Sequence, residues 1–282
     1  MKKKHWIIIF GALALLIAFV FIDSKYIRTS RIVLRKETIR DQRVPESFDG
    51  KLLLYFNDLD YNDIVDEDYL NKVVNMINTV YPDIVVFGGD LIDTNGNDFY
   101  DENVNAILIE ALNRIEAPLG KFAVMGDIDL ESNQTTTIIE NIYRKSGFEL
   151  LRNDHTQIRV NNDDYINLIG IDPLVNGNPD LESSFYNLKP NSYNLVICHT
   201  PDIADSLAES DLAMILSGHS HNNQTSLPLI GPLSRSEGAL KYHHGRYKIG
   251  SITLDVSDGV GMSGEKIRLF SDNEIVVYKF VK

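Results

Sequence analysis

The chain has 282 residues, of which 44% are hydrophobic and 24% are charged, a balance typical of folded globular proteins rather than disordered ones. Cys198 is the single cysteine, so an intrachain disulfide framework is excluded. The formal net charge is −13, but residues 1–45 carry a net +7, which leaves −20 on the remainder. Because a strongly acidic body repels polyanions, nucleic acid is not an expected partner.

An uncharged apolar run, WIIIFGALALLIAFVFI, occupies residues 6–22. At about 1.5 Å per residue, a helix of this length spans roughly 25 Å, near the lower limit for crossing a bilayer. A cleavable signal peptide and a buried core helix are the alternatives, but the run ends in Phe-Val-Phe-Ile without a small-residue cleavage site. We therefore expect a retained, single-pass transmembrane helix that places the protein in the cell membrane.

The charges on either side of this run bear on its orientation. Lysines at positions 2, 3 and 4 favour a cytoplasmic N-terminus, whereas Lys25, Arg28 and Arg31 favour the opposite orientation. We expect the body of the protein to lie outside the cytoplasm. The basic residues that follow the run are also suited to anionic lipid headgroups.

The sequence divides into three predicted parts. They are an anchor at residues 1–22, a basic stem at residues 23–45 with one strand near residues 31–35, and a body at residues 46–282. In the first half of the body, apolar runs predict strands at residues 52–56, 84–87 and 122–125, and helical spacing predicts helices at residues 69–80, 104–115 and 136–146. This alternation indicates a sheet connected by crossover helices.

The second half of the body is richer in strands. Predicted strands lie at residues 150–152, 156–160, 166–169, 195–198, 214–216, 252–256, 267–270 and 275–280, with a short helix near residues 203–208. Two such halves favour two sheets that pack face to face, with helices on the outside.

Five polar clusters follow predicted strands. They are Asn57-Asp58-Leu59-Asp60, Gly88-Gly89-Asp90, Gly126-Asp127-Ile128-Asp129, Cys198-His199 and Gly218-His219-Ser220-His221. Taken singly, an aspartate after a strand is more often a turn former, and a lone histidine is more often a hydrogen-bonded core residue. In open α/β sheets, however, ligands gather at the carboxyl ends of strands. Five clusters in this order therefore predict a metal site, with glycines that let the backbone approach the ligand.

The order of these clusters resembles the calcineurin-like metallophosphoesterase superfamily, whose pattern is D-x-H, GD, GNH followed by Asp or Glu, a lone His, and GHxH. The segments FDGKLLLYFNDLD, GHSHNNQTSLPLIGPL, KYHHGRYKIG and DGVGMSGEKIRLFSDNEIVVYKF are similar to the membrane-anchored bacterial branch of that superfamily. The resemblance covers roughly residues 45–282. It implies an α/β fold arranged as a four-layer α/β/β/α sandwich, and a hydrolase with a dinuclear metal site.

The resemblance also implies ligands for two divalent metal ions, carried over by position. The first metal would take Asp58, Asp60, Asp90 and His221. The second would take Asp90, Asp127, His199 and His219, so that Asp90 bridges the pair. In the family, such metals polarise the phosphoryl oxygens and supply the nucleophile for an in-line displacement.

The sequence departs from the family pattern at three positions. Asp60 replaces a family His, Asp127 replaces a family Asn, and Ile128 replaces the His thought to protonate the leaving group or stabilise the transition state. Because the site then contains four carboxylates instead of two, it favours Mn²⁺ or Mg²⁺ over Zn²⁺ or iron. No catalytic acid is identified. Candidates to replace the missing histidine are Asp129, His155, His243 and His244.

Two functional interpretations stay open. The first is a metal-dependent phosphoesterase that hydrolyses a phosphodiester or pyrophosphate in a phosphorylated small molecule or lipid at the membrane. The second is a catalytically impaired relative that binds metal or a phosphorylated ligand as a sensor or scaffold, and Ile128 favours it. The sequence does not indicate an oligomeric state.

Overall fold

The computed structural model of the protein describes residues 3–94, 100–228, 230–232 and 234–282. The first described element is helix α1 (Lys3–Ile22). Two further helical turns, at Asp23–Ile27 and Arg28–Ser30, continue it. The segment Lys4–Ser30 is long and apolar enough to cross a membrane, and its most apolar part is not buried against the rest of the protein. This arrangement is consistent with the predicted N-terminal membrane anchor.

The first sheet contains six strands. In spatial order they are β1 (Ile32–Arg40), β14 (Asn273–Val281), β2 (Leu52–Phe56), β3 (Ile84–Phe87), β4 (Lys121–Ala123) and β5 (Glu149–Leu150). Strands β2 to β5 are parallel to one another, while β14 is antiparallel to β2 and parallel to β1. The starts of β1 and β14 therefore lie at the same edge of the sheet as the carboxyl ends of β2, β3 and β4.

The second sheet also contains six strands. In spatial order they are β12 (Gly245–Ile249), β13 (Ile252–Val256), β9 (Met214–Ser217), β8 (Asn194–Cys198), β7 (Tyr165–Ile171) and β6 (Asp154–Arg159). Strands β7, β8, β9 and β13 are parallel, and the outer strands β6 and β12 are antiparallel to their neighbours. Two-residue strands β10 (Ser226–Leu227) and β11 (Gly231–Pro232) form a small separate hairpin.

Helices cover the outer faces of both sheets. They are α2 (Glu67–Val80), α3 (Glu102–Asn113), α4 (Asn133–Lys145) and α5 (Leu181–Ser184). Helices α2 to α4 pack on the first sheet, and α2 begins where the carboxylate of Asp66 accepts a hydrogen bond from the amide of Tyr69. The second sheet is covered by α5 and a short 3₁₀ helix at Pro201–Asp205, so its outer layer is much thinner.

Alternate side chains of the central strands face different layers. On β2, Leu53 and Tyr55 point into the core between the two sheets, whereas Leu54 and Phe56 point toward helices α2 to α4. Because both faces of these strands are buried, they contain continuous apolar runs. The predicted four-layer α/β/β/α sandwich is therefore confirmed.

Two predicted strands differ from the structure by more than a few residues at their ends. The strand predicted near residues 31–35 is β1, which extends to Arg40 and pairs with β14 along its whole length, so much of the basic stem lies in the first sheet. The strand predicted at residues 267–270 is wrong, since that segment forms only an isolated bridge between Leu269 and Thr225. Its Arg268 is fully buried and donates hydrogen bonds to loop carbonyls, which replaces strand pairing.

Candidate metal centre

The structure brings the seven predicted metal ligands together at one edge of the two facing sheets. Asp58 and Asp60 follow β2, Asp90 follows β3, and Asp127 follows β4 by a few residues. His199 follows β8 directly, and His219 and His221 come after β9. All these strands end at the edge that the two sheets share, so their carboxyl ends deliver the side chains to one point.

Five of these seven residues have a left-handed backbone, a conformation that is uncommon outside glycine. The φ angles are 50° at Asp58, 46° at Asp60, 55° at Asp90, 67° at His219 and 49° at His221. Each such residue costs of order 1–3 kcal/mol unless the surroundings impose the conformation. The concentration of this strain at the predicted ligands indicates that the loops are shaped to aim side chains inward rather than to minimise local energy.

Two glycines in the clusters are needed because other atoms lie too close for a side chain. A Cβ atom at Gly126 would overlap the carboxylate of Asp90, and one at Gly218 would overlap the amide of Asn57. These glycines therefore let the loops pack closely against the side chains of the predicted centre.

His199 lies at the middle of the cluster and is fully buried. Its Nδ1 is 2.7 Å from the carbonyl oxygen of Gly88, which can only accept a hydrogen bond, so Nδ1 carries a proton. Its Nε2 lies 3.0 Å from Asp90 Oδ2, 3.2 Å from Asp127 Oδ1 and 3.5 Å from Asp58 Oδ1. In the neutral ring, a lone pair therefore faces three carboxylates.

His219 is oriented in the same way with its nitrogen atoms exchanged. Its Nε2 lies 2.6 Å from the carbonyl oxygen of Glu237, and its Nδ1 lies 2.7 Å from Asp127 Oδ1. The ligand atoms of Asp90, Asp127, His199 and His219 all lie within 4.8 Å of one another. These four residues are the set predicted for the second metal, and their arrangement can hold a metal ion.

The remaining predicted ligands form an adjoining group. His221 Nε2 lies 3.3 Å from Asp60 Oδ2 and 3.5 Å from Asp58 Oδ1. Asp58 is thus close to both His199 and His221 and links the two groups. The backbone amide of Ile128 donates a 2.9 Å hydrogen bond to Asp90 Oδ1, which fixes that carboxylate beside the centre.

The donor set fits divalent cations. Among the described residues, Nε2 of His199, Oδ1 of Asp127 and Oδ2 of Asp60 are buried atoms without a hydrogen-bond partner. Burial opposes protonation of His199, but the charges of Asp90 and Asp58 outweigh it and raise the pKa of this imidazole well above its ordinary value. Burial, together with Asp58 and Asp90, raises the pKa of Asp60 well above its ordinary value. The centre thus requires positive charge, which protons or metal ions can supply.

A cleft of about 290 Å³ opens onto this centre. Its lining includes Asp60, Asp90, Asp127, His219 and His221. Ile128 is also part of the lining, so an apolar side chain faces the cleft at the position of the family histidine.

The four candidates for a replacement acid lie in different surroundings. Asp129 is buried and accepts hydrogen bonds from the backbone amides of Asp90, Leu91 and Gly126, so it positions these loops. Burial and the nearby charge of Asp90 raise the pKa of Asp129 to about 7. His155 lies on β6, where Nδ1 is 3.1 Å from the carbonyl oxygen of Ser184. None of the four is among the residues that line the cleft in the described part of the chain.

His243 and His244 lie in the segment that precedes β12. The hydroxyl of Ser220, between the two cluster histidines, donates to the His243 carbonyl at 2.6 Å. Nδ1 of His244 pairs with Asp258 at 2.5 Å. His243 therefore supports the loop after β9, whereas His244 pairs with the loop after β13. In the described part of the chain, no contact aims either ring at the cluster.

Sequence reasoning missed several residues that hold the ligands in place. Asn57 donates to Asp58, Asn176 donates a 3.0 Å hydrogen bond to the carbonyl of Asp127, and Arg268 donates a 2.9 Å hydrogen bond to the carbonyl of His221. Asn57 belongs to one of the predicted clusters, but its hydrogen bond to Asp58 was not predicted. Arg268 alternates with apolar residues and gives the same pattern as a solvent-facing strand position, so only the structure reveals its role.

Comparisons with known proteins agree with this geometry. The sequence pattern of the calcineurin-like phosphoesterases matches residues 55–223, which extend from β2 through the last cluster histidine. The chain is 29% identical to the metallophosphoesterase YkuE of Bacillus subtilis over 255 residues, which is 90% of this chain and 87% of that protein.

Two further relatives are more distant. A transmembrane protein with a metallophosphoesterase domain from Danio rerio is 26% identical, over 83% of this chain and 54% of that protein. The UDP-2,3-diacylglucosamine pyrophosphatase LpxG of Chlamydia muridarum is 23% identical, over 69% of this chain and 71% of that protein. With the sequence match covering more than half of its length, the chain belongs to the calcineurin-like phosphoesterase family.

Proposed function

We propose that the protein is a membrane-anchored, metal-dependent hydrolase that cleaves a phosphodiester or pyrophosphate bond in a lipid-linked compound. The observation that supports this most strongly is the arrangement around His199. Its Nδ1 is occupied by the Gly88 carbonyl, and its Nε2 is directed at the carboxylates of Asp58, Asp90 and Asp127. A cluster that serves only the fold has little reason to keep such unpaired acceptors buried.

In this proposal Asp58, Asp60, Asp90 and His221 hold one divalent ion, and Asp90, Asp127, His199 and His219 hold the other. Mn²⁺ or Mg²⁺ is the expected pair, because carboxylate oxygens outnumber imidazole nitrogens among the ligands. Bound ions would polarise a phosphoryl group and lower the pKa of an attacking water. The protein's own part is to orient the ligands through the carbonyls of Gly88 and Glu237, and to admit the phosphoryl group through the cleft.

The substrate class is proposed from a relative and from the anchor. LpxG is, by its name, a pyrophosphatase that acts on UDP-2,3-diacylglucosamine, a compound with two acyl chains. This chain has an apolar N-terminal helix of membrane-spanning length before its phosphoesterase-family domain. A lipid-linked phosphate is therefore the proposed substrate for a centre that is tethered to a bilayer.

A second candidate function is metal or phosphate sensing without turnover. Ile128 lines the cleft where the family has a histidine, and an isoleucine side chain neither donates nor accepts a proton. Loss of one general acid typically lowers the rate by about 10² to 10⁴-fold. This candidate function keeps the metal centre but assigns it a binding role.

One assay distinguishes these functions. The full chain in detergent is loaded with Mn²⁺ and tested on bis(p-nitrophenyl) phosphate and on dioleoylglycerol pyrophosphate, alongside Asp90→Asn. Hydrolysis of either substrate by the unaltered chain, and not by Asp90→Asn, supports the hydrolase. Equal background rates in both proteins, with metal bound to the unaltered chain, support the sensor.

We also propose that the body lies on the extracytoplasmic side of the cell membrane, as the lysines before the apolar run favour. Protease added to intact spheroplasts should digest the body. Protection of the body until the cells are lysed would reverse the assignment.

A further inference from the structure

The end of the membrane helix is connected to a predicted metal ligand through a single intervening residue, Arg268. The carbonyl oxygen of Ser24 accepts a 2.9 Å hydrogen bond from the backbone amide of Arg268. The guanidinium of that same residue donates a 2.9 Å hydrogen bond to the carbonyl of His221. Since Ser24 is only two residues, or about 3 Å of helix, beyond the apolar run, the metal centre lies close to the depth at which the helix leaves the bilayer.

Further contacts hold the helix end at this edge of the body. Arg28 and Arg31 pair with Asp272 at 3.1 and 2.6 Å. The side-chain amide of Asn273, which is fully buried, donates to the carbonyls of Thr29 and Arg31 at 3.2 and 3.3 Å. Because β1 and β14 start here, the sheet edge that carries the metal centre is the edge that faces the membrane.

An apolar rim stands beside the cleft at this edge. We define the apolar rim as Leu227, Ile230 and Phe270. Ile230 is 75% exposed, an unusual fraction for a large aliphatic side chain, and Phe270 is 42% exposed with the Arg28 guanidinium 5.9 Å from its ring centre. Leu227 is partly buried, and the bridge between Thr225 and Leu269 brings β10 beside the segment that contains Phe270. Exposed apolar side chains on neighbouring segments mark an interaction surface.

The apolar rim is connected directly to the walls of the cleft. Gln224 precedes β10, Ser236 follows β11, and both line the cleft. The bridge between Thr225 and Leu269 joins the hairpin to the segment that holds Phe270 and Arg268. The hairpin part of the rim is thus continuous with the walls of the cleft, and Phe270 contacts Arg28 near the end of the membrane helix.

We propose that the apolar rim dips into the lipid headgroup layer, so that the cleft opens toward the bilayer and receives a phosphate carried by a lipid of the same membrane. The headgroup layer is about 5–7 Å thick on each side of the hydrocarbon core, so side chains near the end of a membrane helix can lie within it. The apolar rim is expected to contact a bilayer, because the end of the membrane helix is fixed to the same edge of the protein. The substrate part of the proposal rests on the proposed function, whereas the membrane contact of the rim does not.

Site-directed spin labelling of the full chain tests the membrane contact. Cys198 is the only cysteine and is fully buried, so Ile230→Cys can be labelled with a nitroxide, and the unaltered chain serves as the blank. Tyr81→Cys is the matched control, because Tyr81 is 85% exposed and precedes β3 at the opposite edge of the sheet. In proteoliposomes of phosphatidylethanolamine and phosphatidylglycerol, the label at position 230 should be accessible to oxygen and shielded from a water-soluble nickel chelate. Equal access of the chelate to both labels would overturn the proposal.

A second measurement tests the path of the substrate. Ile230→Glu should lower hydrolysis of dioleoylglycerol pyrophosphate in proteoliposomes by about tenfold, since a charge at the interface opposes insertion. Its rate with bis(p-nitrophenyl) phosphate in solution should stay within about twofold, and Tyr81→Glu should change neither rate. An equal loss on both substrates would contradict the lipid path. If the unaltered chain hydrolyses neither substrate, the proposed function fails, and the nitroxide accessibility still decides the membrane contact.

Discussion

The guanidinium of Arg268 and the backbone carbonyl of His221 are 2.9 Å apart inside the protein, where no part of Arg268 is exposed. The same guanidinium donates to the carbonyls of Asp258 and Gly261 at 3.0 and 2.6 Å. One buried cation therefore joins two loop segments, the one that contains the left-handed backbone of His221 and the one that follows β13.

Arg268→Lys should loosen this arrangement while keeping the charge. A lysine ammonium has three donors on a flexible stem and cannot reproduce the planar fork of arginine. Removing a partner that orients a metal ligand typically costs about 10 to 100-fold in metal affinity, so we expect a loss of that size at the His221 group. Titration of the metal-free chain with Mn²⁺ by calorimetry measures it. Unchanged affinity for both ions would show that Arg268 serves the fold alone.

Ile128→His should raise activity if the missing proton donor limits the rate. A general acid contributes about 10² to 10⁴-fold, and the gain should be largest for substrates with poor leaving groups. Rates with p-nitrophenyl and phenyl phosphodiesters, compared between the variant and Ile128→Gln, measure this difference. The amide variant controls for polarity. An equal gain in both variants, or none in either, would argue against proton donation at this position.

The metal preference follows from the four carboxylates in the cluster. Oxygen-rich sites favour Mn²⁺ and Mg²⁺, while imidazole and thiolate ligands favour Zn²⁺. The full chain purified from cells grown with equal manganese and zinc should contain mainly manganese by elemental analysis. Asp60→His, which restores the family residue, should shift the content toward zinc. Stoichiometric zinc in the unaltered chain would contradict the prediction.

The network that joins β1 to the second sheet should make stability depend on acid. Arg35 contacts Asp255 at 2.8 Å and Glu274 at 3.1 Å, and Arg246 also pairs with Asp255 at 2.9 Å. Burial raises the pKa of Asp255, but hydrogen bonds and charge from Arg35 and Arg246 outweigh burial, so its pKa lies below its ordinary value. Its stabilising contribution is therefore present above about pH 4 and is lost as the pH falls through the lowered pKa.

Asp255→Asn should remove this contribution and lower the free energy of unfolding by about 1–3 kcal/mol at neutral pH, because the variant leaves buried donors without a charged partner. Thermal unfolding of the full chain in detergent, followed between pH 3 and pH 7, checks the sign. The variant should lose less stability than the unaltered chain at the acidic end. Parallel curves for the two proteins would place the acid sensitivity elsewhere.

Strand and helix positions were largely predictable where apolar periodicity was strong. Strands β2, β3 and β13 have the predicted bounds, and helix α2 begins two residues before the predicted one. These strands are buried on both faces, so a continuous apolar run leaves little choice of conformation. The segment around Arg268 could not be predicted, since its alternating pattern was that of a strand while its hydrogen bonds go to distant loops.

The composition of the candidate centre was also predictable, because strand ends in this fold meet at one edge. Its geometry was not. That Gly88 fixes the tautomer of His199, and that Glu237 does the same for His219, depends on carbonyls that are far away along the chain. The proximity of the helix end at Ser24 to the centre likewise follows from the parallel pairing of β1 with β14, which sequence periodicity does not reveal.

The central claim is that the seven clustered side chains bind a pair of divalent ions, and metal content tests it most directly. The full chain, stripped with chelator, reloaded with Mn²⁺ and desalted, should retain about two manganese ions per chain, one for each proposed ligand group. Asp90→Asn, which alters the ligand shared by both groups, should retain fewer than one. Absence of bound metal in the unaltered chain, or equal content in both proteins, would contradict the account.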